Sequence, residues 1–216
     1  MQRLVLPRYD AYGPSTFEFG KQRIFEGLLE ARPYPALLVS RPGGAEAGVS
    51  RYLLVATGKH GADGQVAAHV GKNVRLSGTL IYRDGQTMVE LLRDSIAVVN
   101  DVVPPLPAPQ KLGQFELVGE IVDSKCYFGV MNPGNGKVHR DCAVRCLSGG
   151  IPPVFLTSDF NGTAATLLLT GPNQKPLSSS DILNRVARPV RMKGEVTRVG
   201  DSLFIETEGS AISPLR

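Results

Sequence analysis

The sequence predicts a mainly β protein made of two small barrels in tandem, and three observations carry the prediction. The halves repeat each other, each half is patterned for strands, and proline marks the joint between them. Val74, Arg75, Gly78, Met88, Val89 and Glu90 meet Val190, Arg191, Gly194, Phe204, Ile205 and Glu206 at one constant offset. Self-similarity over such a length means that one structural unit is used twice. Upstream, YLLVATG ending at Gly58 matches TLLLTG ending at Gly171, and FEGLLEARPY from Phe25 matches LVGEIVDSKCY from Leu117.

Residues 1–21 read as an N-terminal arm, with Tyr9, Tyr12, Phe17 and Phe19 anchoring it on its own domain, because aromatic side chains favour burial. The first unit spans 22–100. Alternation from Val74 to Ile81 places apolar groups on one face at period two, and Asp84-Gly85 supplies the positive φ of a tight hairpin. Gln65 to Val70 is a short helical segment. The strap 101–113 carries four prolines, Pro104, Pro105, Pro107 and Pro109, and is extended and semi-rigid by composition. The second unit, 114–216, repeats the series, with a helix from Ser180 to Val186 that has Ser or Asp available as N-cap and a hairpin at Gly200-Asp201. Strand-strand-strand-helix-strand-strand is the order of an OB-type barrel. The expectation is therefore two OB-like five-stranded barrels, each with a short helix, arising from internal duplication.

Composition narrows the function classes. Among 216 residues, 24 basic and 20 acidic side chains leave a net charge of +4 with no long basic block, which permits nucleic acid without requiring it. No stretch approaches the roughly 18 to 20 apolar residues that cross a bilayer. The opening MQRLVLPRYDAYGP is interrupted by Arg3, Pro7, Arg8 and Asp10, so it reads as neither anchor nor signal peptide and points to the cytoplasm.

The copies differ at one place. The spacing from Gly119 to Gly171 exceeds that from Gly27 to Gly58 by about 21 residues, and the excess holds Cys126, Cys142 and Cys146, every cysteine of the chain, together with His139. Thiolate and neutral imidazole together can replace the inner hydration shell of a tetrahedral metal such as zinc. A helix from Val138 to Leu147, ended by Ser148-Gly149-Gly150, puts His139, Cys142 and Cys146 at i, i+3 and i+7 on one face. Cys126, closing the first strand of this half, supplies the fourth corner. Lys125, Lys137, Arg140 and Arg145 are placed to favour thiolate over thiol. A zinc site of these four ligands is one reading, and a disulfide from Cys126 to Cys142 or Cys146 is its main competitor. Iron, a haem ligand, or a reactive thiol paired with His139 complete the set. A Cys-His catalyst would need an orienting carboxylate, for which Asp123 and Asp141 are candidates by proximity. The sequence offers no nucleophile signature, so no enzymatic activity is read from it. His60 and His69 lack cysteine companions and read as surface residues.

The run from Gly119 to Leu156 resembles a group of uncharacterised bacterial OB-fold-like proteins with a GxxVDxKC…HxxCAxxC…GxP motif preceding a small barrel. The likeness extends to about Val196, roughly a third of the chain. It implies that Cys126, His139, Cys142 and Cys146 are motif positions. It also implies an exported, periplasmic setting among respiratory or metal-handling proteins, against the cytoplasmic reading of the N-terminus.

Two further expectations follow from the fold. OB barrels bind single strands by stacking bases on aromatics in a basic groove; the candidates are Tyr52, Tyr82, Arg75 and Arg83, with Arg191, Arg198 and Phe204. The absence of Trp and an aromatic content of 6% weigh against this. The reading favoured by the duplication, the one-sided cysteine insert and the Pro-rich strap is a non-catalytic accessory subunit, binding a protein partner or a larger assembly, with zinc, iron or a disulfide ordering its key loop.

Overall fold

The structure, a computed structural model, describes residues 13–40, 48–100 and 108–215. Tyr9, Tyr12 and most of the strap lie outside the described residues. The first barrel consists of β1 (Ser15–Glu30), β2 (Ala36–Ser40), β3 (Val49–Val55), β4 (Asn73–Arg83) and β5 (Gln86–Leu91). They pair in the order β1-β2-β3-β5-β4, and β4 returns to β1 to close the barrel, with the short β6 (Ala97–Val98) beyond β4. The second barrel uses β7 (Gln110–Asp123), β8 (Pro153–Phe160), β9 (Thr163–Thr170), β10 (Pro189–Val199) and β11 (Ser202–Glu206) in the same order, and β12 (Ile212–Pro214) stands where β6 does. Helices α1 (Asp63–Val66) and α3 (Ser179–Ile182) occupy equivalent places between third and fourth strands, each continued by a 3-10 turn. A third helix, α2 (Arg140–Ser148), lies between β7 and β8 and has no counterpart in the first barrel.

The duplication is therefore structural as well as textual. In each barrel the third strand runs parallel to the fifth: Leu53–Val55 lies beside Met88–Glu90, and Leu168–Thr170 beside Phe204–Glu206. The matched glycines do the same work. A Cβ on Gly27 would stand 2.2 Å from Leu38 O and one on Gly119 2.0 Å from Leu156 O. Each first strand thus bends across its neighbour at a contact that admits no side chain.

Two boundaries move. Residues 15–21, expected in the arm, belong to β1 and pair with the end of β4 up to a bulge between Phe17 and Gln22. Residues 110–113, expected in the strap, begin β7. Phe17 packs on the core as an anchor should, but Phe19 is 81% exposed and meets the edge of the Phe17 ring at 5.5 Å rather than the core.

Each barrel has its own interior. Leu29, Leu37, Leu54, Val74, Leu76 and Val89 fill the first, and Ile121, Phe155, Leu167, Leu169, Val190 and Ile205 the second. The outward faces then pack on each other: Tyr34, Leu53, Val55, Ile81 and Met88 meet Val122, Tyr127, Phe128, Val154, Leu156, Leu168 and Phe204 in one shared cluster. Strands buried on both faces read as unbroken apolar runs, which is why YLLV and TLLL lack the alternation seen in β4. Each large side chain withdrawn from water contributes about 1.5–3 kcal/mol, so the joint face is comparable to a core. Among the described residues no helix is long and apolar enough to cross a membrane.

Candidate metal centre

The cysteine segment links β7 to β8 over residues 124–152, where the first barrel needs only 31–35. It is anchored before any cysteine is reached. Ser124 donates to Pro152 O through Oγ at 2.7 Å and through its amide at 3.0 Å. Lys125 turns the other way and buries its ammonium in the first barrel, against Ala56 O at 2.8 Å, Gly58 O at 2.6 Å and the carboxylate of Glu90. A π-turn over Cys126–Val130 follows. Gly136, at φ 75°, directs its amide to the buried Glu120 carboxylate at 2.5 Å. A 3-10 turn (Lys137–His139) then leads into α2. The helix stops as its glycines dictate, with Gly149 N bonded to Arg145 O and Gly150, at φ 92°, bonded to Leu147 O. Ala143 and Leu147 face the barrel interior while Cys146 faces the shared cluster.

The three sulfurs converge as the spacing predicted. Cys126 Sγ lies 3.8 Å from Cys142 Sγ and 3.9 Å from Cys146 Sγ. No sulfur–sulfur bond joins them, so the disulfide reading is not realised in this structure. His139 does not sit within the sulfur triangle. Its ring belongs to a second group, with Asp123 and Cys126, whose ligand atoms lie within 4.8 Å of one another, and Cys126 is common to both groups. These groups can hold a metal ion.

Asp123 organises the second group. With both side chains fully buried, its Oδ2 is 2.7 Å from His139 Nε2, and its Oδ1 accepts the Cys126 amide at 2.8 Å. A carboxylate only accepts, so Nε2 carries the proton and Nδ1 the lone pair. Nδ1 is buried and has no hydrogen-bond partner. An enclosed imidazole nitrogen left in this state is costly, and a histidine held by a carboxylate through its other nitrogen is the common arrangement of a metal ligand. Asp123 was legible only as a neighbour; the His-x2-Cys motif with a carboxylate three residues before Cys126 is the signal that marks it.

The cation beside the sulfurs is not one of those expected. Lys59, from the loop after β3 in the other barrel, places Nζ 2.8 Å from Cys142 Sγ and 3.6 Å from Cys146 Sγ. Lys125 is committed to Glu90, Arg140 reaches Ala187 O at 3.2 Å, and Lys137 and Arg145 face solvent. The bond to Cys142 holds the Lys59 ammonium above its ordinary pKa. Among the thiols, donation to Cys146 and burial push Cys126 up, while the same bond draws Cys146 down. A cation bound in the triangle displaces the protons of the thiols that become its ligands.

The candidates for stacking nucleic acid are dispersed. Arg75 pairs with Glu26 at 2.5 Å and Arg191 with Glu116 at 2.5 Å. Arg83 lies over the Tyr127 ring at 4.4 Å, Phe204 is 6% exposed beneath Arg51, and Tyr52 meets Phe25 edge-on. Tyr82 and Arg198 are exposed, on different barrels. Asp141 opens α2 and stays exposed, where its charge favours the helix N-terminus. His60 is exposed as expected, whereas His69 is half-buried with Nδ1 enclosed. No protein-family model matches the chain, and comparison with curated proteins finds no match either.

Proposed function

We propose that this chain is a non-catalytic accessory subunit whose two barrels are held around a structural zinc bound by Cys126, His139, Cys142 and Cys146. One observation carries the reading. Zinc–sulfur bonds of about 2.3 Å set the edges of a tetrahedron at about 3.8 Å, and Cys126 Sγ stands 3.8 Å from Cys142 Sγ and 3.9 Å from Cys146 Sγ, with all three within 4.8 Å of one another. The unpartnered Nδ1 of His139 supports it as the fourth donor. Bound there, zinc supplies cross-linking of the segment and no redox chemistry.

The three sulfurs supply three corners, and His139, held beside them with Asp123 and Cys126, has to turn towards them to supply the fourth; four protein donors would leave no position for the water that catalytic zinc keeps, which favours a structural role. Among the described residues Phe19, Ile24 and Val138, 81%, 67% and 84% exposed, are the most exposed large apolar side chains and are open to a protein partner. Elemental analysis of protein purified without added metal, with a thiol count after denaturation in chelator, tests the centre. About one zinc per chain and three titratable thiols are expected; metal-free protein with one free thiol would end the proposal. The subunit role is tested separately by native size in the host, where a monomer would refute it.

A further inference from the structure

We infer that the metal centre belongs to both barrels, with Lys59 of the first barrel acting as the outer cation that neutralises and closes it. The inference rests on the metal reading above and adds a residue from outside the cysteine segment. Three thiolates, a neutral imidazole and a divalent ion leave one negative charge on the ligand set, beside the buried Asp123 carboxylate, in a place where Cys126 and Cys146 are 3% and 1% exposed. A buried net charge is costly unless it is paired. Lys59 Nζ, at 2.8 Å from Cys142 and 3.6 Å from Cys146, pairs it and donates to the one thiolate that reaches towards solvent. With Lys59, a divalent thiophilic cation gives a neutral ligand set, whereas a monovalent one would leave a further negative charge beside that of Asp123.

The ammonium is not there by the reach of a flexible side chain alone. Its backbone is docked on the end of α2: Gly61 N donates to Gly149 O at 2.8 Å. A Cβ on Gly149 would fall 1.8 Å from Lys59 O and one on Gly61 2.5 Å from Gly150 O. On the other side of the loop, Lys125 holds the carbonyls of Ala56 and Gly58. The loop that carries Lys59 is thus gripped from both sides by the segment that carries the ligands. Metal release requires Lys59 to leave, and by linkage the contact between barrels and the binding of metal strengthen each other by the same factor.

Cobalt(II) serves as the probe, in the full-length wild type and in Lys59→Gln and Lys59→Arg. Wild type should give tetrahedral ligand-field bands with thiolate charge transfer. Lys59→Gln should keep the ligand-field bands, shift the charge-transfer band, and lose cobalt to chelator on the order of 10- to 100-fold faster, the usual effect of removing a supporting residue around a metal ligand. Lys59→Arg should restore most of both. In the unmutated chain, acetylation of Lys59 followed by mass spectrometry should slow several-fold on metal loading. Wild type that binds no cobalt overturns the metal reading itself. Cobalt-binding wild type whose Lys59→Gln variant matches it in band position and release rate, or whose Lys59 reacts equally with and without metal, overturns the role of Lys59 alone.

Discussion

Asp123→Asn separates the metal reading from a purely structural account of the buried Asp–His pair. The carboxylate serves two donors, Cys126 N–H at 2.8 Å and His139 Nε2–H at 2.7 Å. Alanine would remove both charge-assisted bonds at about 1.5–3 kcal/mol each, or about 3–6 kcal/mol in all, a large part of the stability of an ordinary domain. Asparagine keeps the shape and one carbonyl oxygen. If that oxygen stays on Cys126, an amide NH2 faces His139, and the ring must move its proton to Nδ1, the nitrogen assigned to the metal. Loss of an orienting partner of this kind lowers metal affinity by about 10- to 100-fold, equivalent to about 1.4–2.7 kcal/mol. Competition against a chromophoric zinc chelator measures it, and far-UV circular dichroism establishes that the variant is folded. A folded Asp123→Asn protein that holds zinc as tightly as wild type, with an unchanged cobalt spectrum, would refute the assignment of Nδ1 as a ligand.

Three other outcomes are expected. Lys125→Met leaves the Glu90 carboxylate without its ammonium and should cost about 3–5 kcal/mol in urea unfolding, with part regained in the double variant Lys125→Met/Glu90→Gln; no recovery would refute the pairing as the cause. Gly149→Ala should cost about 1–3 kcal/mol by pushing on Lys59 O, since φ at Gly149 is −84° and suits alanine. Gly64→Ala, which meets open space, should stay within about 0.5 kcal/mol, and equal melting temperatures for the two variants would argue against a tight inter-barrel contact. Burial holds the Glu120 carboxyl above its ordinary 4.5, so the folded chain binds this proton more tightly than the unfolded one. The stability it supplies is present below the unfolded value and is lost as pH rises through the folded one. Glu120→Gln keeps an acceptor for Gly136 and should therefore match wild type in acid and gain on it towards neutrality; a pH-independent difference in urea midpoint would contradict this.

The barrels were legible because their determinants are local and repeated. Turn glycines, the alternation in β4 and the order of elements all recur, and a second copy confirms a reading that either alone would leave weak. The sulfur triangle was legible for the same reason: a helix carries Cys142 and Cys146 on one side, and the preceding strand delivers Cys126 nearby. Lys59 was not, because it lies 83 residues before Cys142 and nothing in its own surroundings marks it. Lys125 shows the converse. Its neighbours in sequence are ligands, yet its side chain leaves on the opposite side of the chain, towards Glu90. Of the aromatics considered for nucleic acid, Phe204 is spent on packing that only the assembled pair of barrels creates, and Tyr52 on Phe25 within the first barrel.

The shared face has a consequence for synthesis on the ribosome. Leu53, Val55, Ile81 and Met88 are complete as a surface once β5 is made, but their cover includes Leu168 and Phe204. At about 5–20 residues per second, the nascent first barrel waits roughly 5 to 25 seconds before that cover emerges. During this interval it presents an apolar sheet face to every other nascent chain. The second half is therefore also the first half's chaperone, delivered late by the order of the gene.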